Sequence, residues 1–153
     1  MLYRVCAEKI VYSFDRSLKP ALRIKSGDEV VLETRDARGG RAILDYDQYI
    51  VPPAPPLEKC NPVTGPIYVQ GAERGDILLV EIEDIKLGTK GYSSLRQDMG
   101  VLKDMVKQAV ARIVEVRGDR IFFNDKVSFP TRRAIGTIGV APLSGRVPSI
   151  YPG

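Results

Sequence analysis

The chain predicts a mainly β fold, β-sandwich-like, with several hairpins and one short helix, and three observations carry that expectation. Three Gly-Asp pairs, Gly27-Asp28, Gly75-Asp76 and Gly118-Asp119, each separate two short runs of aliphatic, β-branched or aromatic residues. Glycine supplies the positive φ of a tight turn, and aspartate bonds back to nearby amides, so each pair has a mechanism for reversing the chain. Helical periodicity, by contrast, is confined to one stretch.

Taken in order, residues 21–25 and 29–32 read as strands of a first hairpin about Gly27-Asp28. The stretch 51–60, VPPAPPLEKC, follows, and its four prolines in residues 52–56 remove amide donors and force a flexible, solvent-facing loop or linker. Residues 67–70 and 77–80 read as a second hairpin about Gly75-Asp76. In SSLRQDMGVLKDMVKQAV, Ser94 and Gln97 make a capping box, and Leu95, Met99, Leu102, Met105 and Val106 recur at helical steps. That helix should pack its apolar stripe on a sheet, although Gly100 costs it about 1 kcal/mol. Residues 112–116, 121–123 and 127–129 read as two further hairpins about Gly118-Asp119 and Asn124-Asp125. The 153 residues, 44% hydrophobic and 27% charged, suit a single β-rich domain spanning 1–153.

Composition excludes several function classes. The chain has no histidine, so neither a Ser-His-Asp or Cys-His mechanism nor the commonest zinc sites can be assembled from it alone. Its net charge of +4 comes with interleaved acids and bases, and basic residues are not interleaved with aromatics, which argues against nucleic acid. No apolar run approaches the roughly 20 residues that cross a bilayer, and the amino terminus has no secretory h-region. A cytoplasmic protein is expected. Cys6 and Cys60 are too far apart for a CxxC pair and read as small packing residues.

Two constellations stand out as chemistry. Glu33 and Asp36 lie where a strand runs into a glycine-rich turn, and the curl can bring both carboxylates to one cleft edge. The simpler reading is that Asp36 caps the turn and Glu33 sits on a solvated face. In NPVTGPIYVQGAERGD, Asn61, Thr64 and Gly65 are turn formers, yet glycine also lets a ligand approach backbone closely. GTIGVAP holds a G-x-x-G without a following lysine, so close packing explains Gly136 and Gly139 better than a phosphate cradle.

The strings SGDEVVLETRDARGG, NPVTGPIYVQGAERGDILLVEIEDI, FPTRRAIGTIGVAP and PSIYPG, in this order, resemble the acetamidase/formamidase family. The resemblance implies a β-rich amidohydrolase that releases ammonia from short amides such as formamide or acetamide. It also implies that this chain corresponds to the amino-terminal half, since the closing PG resembles the start of the family's P-G-x-H-G-G-N-x-D segment. On that basis Glu33 and Asp36 are the expected catalytic acids, and Asn61, Thr64 and Gly65 the expected substrate-binding rim. A divalent metal, zinc or calcium, is expected with Asp36 as a ligand and most others from the missing half. The expected partner is a complementary carboxy-terminal chain, or a homo-oligomer. The alternative is a non-catalytic β module of the same family that binds or scaffolds.

Overall fold

The structure, a computed structural model, describes residues 1–39, 56–97 and 100–151. They form two compact units, one drawn from 1–39, 56–82 and 136–151, the other from 83–97 and 100–135. The described residues are mainly strands, as the punctuated sequence predicts, and the helical content is two single turns, Leu57–Lys59 and Lys103–Met105.

The first unit is built from short pairings between distant segments. Strand β1 (Leu2–Val5) pairs in parallel with β5 (Glu29–Leu32), and β4 (Leu22–Ile24) in parallel with β7 (Ile67–Val69). β2 (Ile10–Val11) runs antiparallel to β6 (Val63–Thr64), and β3 (Ser13–Phe14) antiparallel to β12 (Val147–Pro148). Val5 anchors this unit at 4% exposure.

Two expected hairpins are therefore corrected. The Gly27-Asp28 turn forms, with Gly27 at φ +83 and the Asp28 amide donating to the Lys25 carbonyl at 3.1 Å. The strands it joins do not pair with each other, because Leu2–Val5 and Ile67–Val69 take their hydrogen bonds instead. Turn chemistry is local, whereas strand pairing is a competition among all edges in the fold. The Gly75-Asp76 turn also forms, with the Asp76 carboxylate accepting from the Glu73 amide at 2.8 Å. The run after it, residues 77–80, joins no strand and is exposed.

The second unit keeps the hairpins that sequence predicts. β8 (Lys90–Leu95), β9 (Val110–Arg117), β10 (Arg120–Phe122) and β11 (Ser128–Pro130) form one antiparallel sheet in the order β11-β10-β9-β8. Gly118 at φ +59 turns β9 into β10, and the Asn124 side chain accepts from the Lys126 and Val127 amides at 2.9 and 2.7 Å between β10 and β11. Here the strands flanking each turn are consecutive in space, so the local signal suffices.

The expected helix over 94–106 does not form. Ser94 lies in β8 opposite Ala111, Gly100 sits at φ +89, and among the described residues of this stretch only the turn Lys103–Met105 is helical, Met99 lying outside them. Leu95, Leu102 and Met105 are exposed. The eight-residue strand β9 offers β8 a six-residue ladder, which outweighs a short helix interrupted by glycine. The proline-rich loop lies outside the described residues up to position 55, and residues 57–59 form the other helical turn.

Close packing holds for one of the two G-x-x-G glycines. A Cβ on Gly139 would stand 3.0–3.2 Å from the Phe14 ring of β3, whereas one on Gly136 would meet open space. Gly139→Ala should therefore lower stability by about 1 kcal/mol, the overlap exceeding the gain from a stiffer unfolded chain. Gly136→Ala should be within about 0.5 kcal/mol of neutral. Urea unfolding of both variants checks the contrast.

Candidate active site

The two stretches singled out from sequence meet in the first unit. β5 ends at Leu32, and the Glu33 amide continues the ladder by donating to the Val5 carbonyl at 3.0 Å. The chain then curls through residues 34–39, where Gly39 at φ +73 donates its amide to the Asp36 carbonyl at 2.8 Å. The segment 61–65 is tied to this curl at two points. The Asn61 amide donates to the Ala37 carbonyl at 2.8 Å, and the Thr64 hydroxyl donates to the Glu33 carbonyl at 2.7 Å.

Each candidate residue has a distinct environment. Asn61 adopts φ +52, a left-handed conformation that asparagine tolerates better than most residues. Thr64 is 8% exposed and its hydroxyl proton is committed to Glu33, which makes it a strut between the two stretches. Gly65 is buried at φ +144, and its amide donates to the Lys9 carbonyl at 2.8 Å.

The two acids differ most. The Glu33 carboxylate accepts from Arg4 Nε at 2.8 Å, from Arg4 Nη2, and from the Ala7 amide at 3.2 Å. The Arg4 hydrogen bonds, then the Ala7 amide, hold its carboxyl below the ordinary glutamate range, against a small opposing effect of burial. A carboxylate so stabilised as an anion is a poor proton acceptor near neutral pH. Asp36 divides its oxygens. Oδ1 accepts from the Arg38 amide at 2.7 Å, the turn cap that the simpler reading expects. Oδ2 is buried and has no hydrogen-bond partner among the described residues. Leaving such a group unsatisfied costs about 1–3 kcal/mol, more when it is charged, so the position is suited to an incoming donor or cation.

Residues that sequence reading passed over complete the frame. Arg4 and Ala7 hold Glu33, and nothing in their strand-and-turn context announces it. Ser149, in the closing PSIYPG string, is 0% exposed; its hydroxyl reaches the Tyr12 and Cys60 carbonyls at 3.0 and 3.3 Å, next to Asn61. Both cysteines are half-buried. Among the described residues no group of three or more His, Cys, Asp or Glu side chains could hold a metal ion, so these residues alone do not build a cation site. Among them, too, no helix is long and apolar enough to cross a membrane.

The Glu33 bonds have a pH signature. Because its pKa is lowered on folding, their contribution is complete above the ordinary glutamate pKa and is lost as pH falls through the folded value. Glu33→Gln should therefore flatten part of the fall in thermal stability below about pH 5. Some slope should remain, since Asp15 and Asp28 are lowered as well, chiefly by the Ser17 and Lys25 amides. Equal slopes in both proteins across that range would refute the assignment.

Comparison with known proteins agrees with this frame. The sequence profile of the Acetamidase/Formamidase family matches residues 7–148. A candidate formamidase of Schizosaccharomyces pombe is 29% identical over 129 residues, covering 78% of this chain and 31% of the yeast protein. The crystal structure of an acetamidase from Bacillus halodurans aligns with TM-score 0.86 and 30% identity over 95% of this chain and 48% of its own. That of a predicted acetamidase/formamidase from the thermophile Thermoanaerobacter tengcongensis aligns with TM-score 0.87 and 33% identity over 97% of this chain and 48% of its own. The chain thus spans about half the length of these solved relatives and a third of the yeast protein. With the profile covering the curl and the 61–65 segment, the chain belongs to the acetamidase/formamidase family.

Proposed function

We propose that this chain supplies the framework and one acid of an amidohydrolase acting on short amides such as formamide and acetamide. The reading takes it as the amino-terminal half, active with a companion half that corresponds to the length its relatives have and it does not cover. Amide hydrolysis needs an activated water, a stabilised oxyanion and a proton for the leaving nitrogen. The observation that supports a part in this chemistry is the buried, unpartnered Oδ2 of Asp36, held in place through Oδ1 and adjoining the laced 33–37 and 61–65 segments. In this reading Asp36 accepts a proton from water or holds the amide N–H. Glu33, kept anionic by Arg4, is a positioning residue.

Asn61, Thr64 and Gly65 form the rim against which a small amide rests, with Thr64 contributing rigidity rather than a free hydroxyl. A divalent cation, zinc or calcium, belongs to the same proposal. It would supply carbonyl polarisation, with Asp36 as its ligand from this chain and the others from the companion. Cytoplasmic residence is also part of the proposal, supported by a sequence whose two cysteines make no disulfide framework.

The alternative, a non-catalytic β module, draws support from the structural commitment of Glu33 and Thr64. An assay of the chain joined with its companion half against formamide, acetamide and a longer amide separates the two. Ammonia from the short amides supports the hydrolase; tight amide binding without ammonia supports the binding module.

A further inference from the structure

In the first unit, residues 77–82, Ile-Leu-Leu-Val-Glu-Ile, belong to no strand or helix. None of their backbone groups has a hydrogen-bond partner among the described residues. Ile77 is 96% exposed, Leu79 80%, and Leu78, Val80 and Ile82 are exposed as well. Single exposed aliphatic residues need no explanation, but four contiguous ones, Ile77 to Val80, with Ile82 beyond, do. If the run is extended, Leu78, Val80 and Ile82 fall on one face and Ile77 and Leu79 on the other, where Glu81 is the one charged member of the run. Apolar residues on both faces are the pattern of a strand inside a sheet, covered above and below. Residues 136–143 of the same unit are alike. Ile138, Val140 and Leu143 are exposed, and the Leu143 carbonyl, taken by Arg16 at 2.8 Å, is the one backbone group with a partner among the described residues.

We propose that residues 77–82 form an interior strand of a sheet completed by the companion half, the part of the family's length that this chain does not cover. The proposal rests on the reading above that such a half acts with this chain, and adds where it docks. Two observations select this occupant. The chain aligns with the relatives over nearly its whole length yet covers 48% of each, so as much again of their length lies outside it to supply neighbouring strands. A second copy of this chain, paired about a two-fold axis, would occupy only one edge of the run and leave the other edge open. Main-chain pairing on both edges is β-augmentation in which this chain inserts a strand and the companion supplies its neighbours.

Hydrogen exchange read by mass spectrometry tests this. The 153-residue chain is compared alone and with the half of the Thermoanaerobacter tengcongensis relative that it does not cover. The amides of 77–82 should exchange freely in the chain alone and at least about 100-fold more slowly in the mixture. Leu79→Pro, which deletes an amide from an exposed run, should abolish this slowing while the β1–β5 pair of the same unit keeps its own protection as proof of folding. The proposal is overturned if no complex forms, if a complex forms with 77–82 unprotected, or if 77–82 becomes protected in the chain alone as its concentration rises. Ammonia release measured in the same mixture keeps the two ideas apart: protection without ammonia sustains the strand and removes the amidase.

Discussion

Asp36→Asn should lower the turnover of acetamide and formamide by the chain joined with its companion half about 100- to 10,000-fold, the usual range for loss of a general acid or base. The substitution is nearly isosteric. The side-chain oxygen can still accept from the Arg38 amide, as Oδ1 does at 2.7 Å, so the curl at 36–39 keeps its cap. What changes is the buried position of Oδ2, where an acceptor is replaced by an NH2 donor. Water activation or retention of an amide N–H at that position is then lost, and kcat should fall further than KM rises. Glu33→Gln is the control, because that carboxylate already serves Arg4 and the Ala7 amide; its loss should stay within about tenfold. Steady-state rates with a thermal melt on each variant make the comparison. A variant Asp36→Asn that keeps most of its rate would reduce Asp36 to a turn cap.

The largest effect on stability is expected at Gly65. Its φ of +144 lies in a region that side chains rarely adopt, and a β-branched residue adopts it least of all. An added Cβ would also stand 3.4 Å from the Ile67 amide nitrogen in a buried position. Neighbouring bonds allow little escape: the Gly65 amide is held by the Lys9 carbonyl at 2.8 Å, and the Pro66 carbonyl holds the Ala21 amide at 2.8 Å. Gly65→Val should therefore cost about 3–5 kcal/mol, combining backbone strain with overpacking, while Gly65→Ala should cost about 1–3 kcal/mol. Against a typical domain stability of about 5–15 kcal/mol, the valine variant should be close to unfolding at physiological temperature. Denaturant midpoints measure both, and a valine variant within about 1 kcal/mol of the parent would contradict the constrained geometry claimed for the rim.

What the sequence disclosed, and what it hid, follows from the range of the interactions. The turns at Gly27, Gly75 and Gly118 were legible because glycine conformation, joined at the first two by aspartate-to-amide bonds, is decided within four residues. The partners of the strands flanking the first turn were not, since Leu22–Ile24 finds Ile67–Val69 through contacts that no local pattern encodes. The apolar spacing over 94–106 suggested a helix because short apolar repeats satisfy more than one period, and β9 drew Lys90–Leu95 into its ladder. The stretch from Glu33 to Asp36 and the NPVTG string do meet in the fold, where the Thr64 hydroxyl donates to the Glu33 carbonyl. The difference in environment between the two acids was hidden, because Glu33 is held by Arg4, which lies in a strand far from it in the chain and carries no motif. The same holds for Ser149, whose complete burial against Tyr12 and Cys60 only the folded chain displays.

The account's central claim is that this polypeptide is half of a hydrolytic framework, complete in its own turns and curl yet open along residues 77–82. Ammonia released from formamide, measured at a fixed concentration of this chain while the companion half is titrated in, addresses it most directly. The account predicts a negligible rate at the start, a rise with each addition, and a plateau at equimolar ratio. A full rate before any companion is added would contradict it, as would a saturated complex that releases no ammonia.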